Sequence, residues 1–176
     1  MELGLQFKDI LCYEATAAIS SAHEESLETA IPEYCPDIAR IVEATGRLTI
    51  REKQLNVERC TISGSVKVTV LYTSEEATGL RSLTMSVPFS CVMDDRTLTR
   101  CGTVCAEGRV LLTEARAVTS RKLYIKVLPE ITAVGYRAVK RRLCTGTQEE
   151  STIRTQCRNV ELSLLTAISE KGFSFT

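Results

Sequence analysis

From Ser65 to Tyr72 the chain alternates with a period of two: Val66, Val68, Val70 and Tyr72 fall on one face, Lys67 and Thr69 on the other. Such alternation marks a strand with one buried face. Leu71 breaks the polarity of the second face, which predicts partial cover there too. Leu123, Ile125 and Val127 repeat the pattern, with Tyr124 and Lys126 opposite. Pro129 then interrupts, and because proline cannot donate to a ladder, this strand is expected at a sheet edge or with a bulge there. Val110 and Leu112 mark a further strand, as do Leu83, Met85 and Val87 before Pro88. Polar on one side and apolar on the other, these are antiparallel patterns.

The connections read as turns. Thr73–Gly79 is polar and long enough for a hairpin loop, Asp94-Asp95-Arg96 starts a longer loop, and Gln148–Ser151 separates the late strands from the tail. One segment breaks the rhythm. Ala30–Val42 holds two prolines followed by Ile38, Ile41 and Val42 at helical spacing, so a short helix is predicted over 36–43. Pro36 suits its first turn and Asp37 complements the positive end of its dipole. Gly46-Arg-Leu and Gly108-Arg-Val each open a pair of strand-like runs. Two look-alike strands of one sheet account for this echo, with a duplicated hairpin as the alternative. The expected fold is mainly β, an antiparallel sheet or sandwich with that one short helix.

Composition narrows the function. The 176 residues carry 22 basic and 22 acidic side chains, so the basic excess that phosphate contacts demand of a nucleic-acid-binding domain is absent. Weak self-repulsion permits self-association. No run approaches the ~20 apolar residues of a membrane span. The N-terminus places Glu2, Lys8 and Asp9 where a signal peptide needs an apolar core, so the chain is expected to start in the cytosol. Eight cysteines are scattered at 12, 35, 60, 91, 101, 105, 144 and 157, and in a reducing compartment they read as small buried hydrophobes. Only Cys101 and Cys105 lie close, without a second pair or histidine at zinc spacing, and no metal or cofactor is expected.

The run Ile31-Pro-Glu-Tyr-Cys-Pro-Asp-Ile-Ala-Arg-Ile41 resembles the signature of the SPOCS domain of spore-coat and spore-assembly proteins. Gly64–Tyr72, the polar loop, a return strand and Val87-Pro-Phe89 follow in the order that family uses, extending the resemblance over about 22–92. Ser120-Arg-Lys-Leu-Tyr-Ile-Lys-Val127 is similar to the segment that follows, and Glu170–Thr176 to the lead-in of a further repeat. The chain is thus expected to be one β-rich module over 1–176, with strands at 103–140 packed on the 22–92 core. It would be a short family member or a piece of a longer multi-repeat protein, without the LysM module in which some members end. The resemblance implies a scaffold made in the mother cell and deposited on the developing spore, with other coat proteins or its own copies as partners. It carries over no catalytic residues. Its motif residues Pro32, Pro36, Asp37, Ile38, Arg40 and Ile41 read as fold-setting, or as a rigid loop that presents a surface to a partner.

Other chemistry is thin. His23 is the only histidine and has no nucleophile motif around it, and neither glycine-rich phosphate loop occurs. Arg137, Lys140, Arg141 and Arg142 form the one basic cluster, extended by Arg121 and Lys122 if the sheet brings them together. It would suit an acidic partner, a phosphate polymer or an anionic membrane, or simply keep a sheet edge from unwanted pairing. The expected function is non-enzymatic assembly of the spore coat or envelope through protein–protein contacts. The alternative is a β domain that binds a ligand such as cell-wall glycan, which would need aromatic platforms from a chain with no Trp.

Overall fold

A computed structural model describes residues 4–76, 78–147, 156 and 161–169. The Gln148–Ser151 separator, Cys157 and the Glu170–Thr176 ending lie outside the described residues. Seven strands run in order: β1 Leu5–Ala22, β2 Glu25–Ala30, β3 Arg40–Leu55, β4 Arg59–Thr73, β5 Leu80–Asp94, β6 Thr103–Thr119 and β7 Lys122–Thr147, with a 3₁₀ turn at Arg96–Arg100. They form two antiparallel sheets. One is the meander β3–β4–β5. In the other, the long β7 pairs with β6 on one side, and on its other side with β1 and then β2 in succession.

The alternation predicted for 65–72 is that of β4, whose Val66, Val68, Val70 and Tyr72 are all buried. The three valines meet Val87, Phe89 and Cys91 of β5 and Ile125, Val127 and Ile131 of β7 in one apolar core. Each fully buried valine contributes roughly 1.5–3 kcal/mol, which is why the period of two sets the fold. A second, smaller core gathers Ile31, Cys35, Ile38, Tyr72, Leu83 and Leu123 at one end of the sandwich.

Three expectations change. The segment 36–43 is not helical: Pro36–Ala39 is irregular and Arg40 already begins β3. Its N–H groups go to distant carbonyls, Ile38 N to Ser120 O at 2.8 Å and Ala39 N to Thr73 O at 2.9 Å, so none is left for an i–4 ladder. Pro129 lies inside β7, the most paired strand of its sheet, and not at an edge. The bulge is real but sits opposite, in β6, between Val110 and Leu112. On the other side Pro129 faces the break where β1 gives way to β2; its carbonyl accepts from His23 N at 3.4 Å, and its missing N–H falls in that break.

The third change concerns the glycine echo. Gly46 stands in β3 and Gly108 in β6, on different sheets, yet the two strands run alongside each other. The contacts are reciprocal. A Cβ at Gly46 would meet Val110 Cγ1 at 3.3 Å, and one at Gly108 would meet Leu48 Cδ2 at 2.8 Å. Each glycine makes room for the residue two places beyond the other, so the repeated Gly-Arg-apolar run builds both sides of one seam.

Candidate functional site

The motif segment folds as a loop clamped by the β6–β7 turn. Arg121 reaches back across it, donating to Cys35 O at 2.6 Å, Pro32 O at 3.0 Å and Asp37 Oδ1 at 3.0 Å. Ser120 Oγ donates to the other Asp37 oxygen at 2.8 Å. These bonds from Ser120 and Arg121 hold the Asp37 carboxyl below its usual range. Beneath the loop, Tyr72 sends its hydroxyl to Pro36 O at 3.3 Å, and burial pushes its phenol upward. Ile38 is buried in the smaller core and Ile41 packs against it. Pro32 and Pro36 thus shape the loop, Asp37 anchors it, and Arg40 starts β3 with an exposed side chain. Tyr34, at the tip, is 86% exposed.

The basic cluster lies on a two-stranded ribbon, β1 residues 5–14 laddered to β7 residues 137–147. The pleat divides it. Lys140 and Arg142 stand on the face of Leu11 and Phe7; Arg137 and Arg141 stand on the opposite one. Arg141 pairs with Glu14, and the Arg142 guanidinium covers the Phe7 ring at 4.4 Å. The four cations therefore do not form one patch, and Arg121 and Lys122 are elsewhere, on Asp37 and Glu28. The Phe7 face is mixed instead: Phe7 and Leu11, 46% and 54% exposed, lie among Asp9, Lys140, Arg142 and Cys144, with Asp9 opposite Arg142 and Cys144 opposite Phe7 in the ladder. Along the outer edge of β1 runs the tail, whose Leu165 O accepts from Tyr13 N at 2.7 Å, with Leu162 and Leu164 exposed beside it in sequence.

A cavity of about 630 Å³ opens where the β3–β6 seam splays, between Ile41–Ala44 and Thr113–Arg116. Tyr124 is its one aromatic lining residue among the described residues, and Arg116 already stacks on that ring at 4.5 Å. His23 Nε2 lies 3.3 Å from Glu25 Oε1 with no aligned hydrogen bond. Among the described residues no group of three His, Cys, Asp or Glu gathers as for a metal ion, and no helix is long and apolar enough to cross a membrane.

Cys12, Cys35, Cys60 and Cys91 are buried, Cys101 and Cys105 half-buried, and Cys144 exposed, all as free thiols. Burial pushes the Cys60 thiol upward. Residues 37–117, a little under half of the chain, match the family model described as SipL, SPOCS domain. The match begins later and runs further than the resemblance over 22–92, ending in β6. No curated protein and no solved structure matches the chain.

Proposed function

We propose, from the match of residues 37–117 to the SPOCS-domain model, that the protein is a non-enzymatic structural module of spore-coat or spore-envelope assembly, acting through protein–protein contacts at the developing spore in the mother cell. The observation that carries the reading is the Phe7 face of the ribbon. It combines half-exposed apolar side chains with a free thiol and with Lys140, Arg142 and Asp9, Arg142 lying over the Phe7 ring. Apolar anchors rimmed by charge are the usual make-up of a docking surface, and the cations favour an acidic partner.

Cys144 adds a chemical possibility to the same face. A thiol exposed beside the docking residues can be oxidised together with a partner thiol, each losing a proton and an electron to an external oxidant such as dioxygen, to give an intermolecular disulfide. The buried Cys60 and Cys91 are closed to this.

The test is a fluorescent fusion followed through sporulation in the source organism, beside a deletion strain scored for coat attachment. The expected result is a ring around the forespore, a mislocalised coat in the deletion, and loss of the ring for F7S/L11S. Diffuse wild-type signal and normal spores in the deletion would remove the assembly role. A ring that persists in F7S/L11S would move the contact to another surface.

A further inference from the structure

The 3₁₀ turn meets the middle of β1 beside β7. Leu98, 1% exposed, pins the turn into the core, while Asp95 caps it by accepting from Thr97 N at 2.7 Å. With Leu98 turned inward, Arg96 and Arg100 are carried on the outside. At the same place β1 bulges: Ala15 pairs with Tyr136 and Ala17 with Gly135, which leaves Thr16 out of the ladder. Its hydroxyl is re-aimed to Cys101 Sγ, 3.1 Å away at the foot of the turn. Arg137 stands next to Tyr136 on β7. The result is a groove of about 370 Å³ lined by Thr16, Arg96, Thr97, Arg100 and Arg137.

Three arginines line one small groove, and this chain has an equal number of acids with which to offset such a grouping. Six cations elsewhere are so offset: Arg59 has Asp94, Arg109 has Glu130, Arg121 has Asp37, Lys122 has Glu28, Lys126 has Glu24 and Arg141 has Glu14. Here, among the described residues, no carboxylate lines the groove. The nearby acids are committed elsewhere, Asp95 to Thr97, Asp94 to Arg59 and Glu14, which faces Arg137 in the ladder, to Arg141. Arg96 also borders a neighbouring cavity that contains Glu58, Asp94 and Asp95, so the site rests chiefly on Arg100 and Arg137.

We propose that this groove binds a phosphate-type oxyanion, free or carried as a monoester. All three cations are arginines, whose planar forks match the oxygens of a tetrahedral oxyanion, where lysine offers only a point charge. A dianion offsets neighbouring arginines better than a single carboxylate, which one fork satisfies. The threonine hydroxyls beside it are already bonded, Thr97 to Asp95 and Thr16 to Cys101 and Gly135, so the arginines carry the recognition. This site is independent of the assembly reading, since it uses neither the Phe7 face nor a protein partner.

The experiment is an amide chemical-shift titration of the full chain with inorganic phosphate, and separately with O-phosphoserine, at ionic strength held constant with chloride. Saturable shifts centred on Thr97, Arg100 and Arg137 are expected. R100Q and R137Q should each weaken binding about fivefold to tenfold, the loss of one charge-assisted contact on an exposed site. R47Q on β3 should leave binding unchanged, and R100K should restore part of what R100Q loses. Equal response to both probes would mean that the free ion suffices. Response to phosphoserine alone, with the same dependence on Arg100 and Arg137, would place the phosphoryl group on a larger molecule. No saturable shift with either probe, or affinity indifferent to R100Q and R137Q in variants that keep the wild-type melting temperature, overturns the site.

Discussion

The sandwich body and the ribbon are built from the same ladder and part company only in what covers them. In β4, the inward side chains from Ile62 to Tyr72 are closed off by β5 on one flank and by the β7 sheet in front. In β1, nearer its start, Phe7 and Leu11 share a face with Asp9 between them, are laddered to β7 and remain about half exposed. A ladder therefore makes a strand in both places, but a core in only one. A sheet face becomes interior when a second layer arrives, and within the described chain the ribbon's Phe7 face has none.

That contrast can be broken most directly with one charge in each region. V68D puts a carboxylate among fully buried neighbours and removes several kcal/mol from a margin of about 5–15 kcal/mol. The expected outcome is loss of the cooperative thermal transition in circular dichroism. L11D should melt with the wild type. If L11D also abolished the transition, the ribbon would be part of the core after all.

A smaller effect sharpens how the body closes. G108V drives a branched side chain into Leu48 across the seam and into its ladder partner Ile131, and overpacking of this kind costs about 1–3 kcal/mol. G102A, whose added Cβ finds its nearest neighbour at 3.9 Å, is the control and should be neutral in a urea melt.

Next comes the motif loop. R121A removes the donor shared by Pro32, Cys35 and Asp37 and should lower the melting temperature by a few degrees, with faster amide exchange at Ile38. Lysine at 121 should not restore it, since a single ammonium lacks the fork.

The smallest effect is a pH dependence. The folded Asp37 carboxyl titrates below its unfolded value of about 3.9, so its contribution is complete above that value and disappears as pH falls through the lower, folded one. D37N should lie below the wild type by a small amount at neutral pH, and the two stability–pH curves should converge as pH falls through that acid window.

Much of the body was legible because β4 and the first part of β7 announce themselves by parity. Val110 and Leu112 marked β6 as well, but the bulge expected in the strand of Pro129 falls instead on β6 opposite it. What failed did so for non-local reasons. Ile38, Ile41 and Val42 have helical spacing, but the partners that take the backbone of this segment, Ser120 and Thr73, lie far along the chain. Arg121 was visible as a member of a basic stretch, and nothing local said that its fork closes on three acceptors of the motif. The division of the basic cluster could have been read, since 137 and 141 are odd and 140 and 142 even along one strand. The arginine groove could not, because it depends on a bulge at Thr16 and on a turn that follows β5.

The length of β7 has a consequence in time. The chain is made from its N-terminus, and β1 and β2 come first, but both take their ladders from β7, with Leu5 waiting for Thr147. The β3–β4–β5 meander can close on local hairpins as soon as it is complete, whereas the first strands stay unpaired until nearly all the described chain exists. Throughout synthesis the segment bearing Phe7 and Leu11 is thus an open strand, available to whatever extended chain reaches it before β7 does.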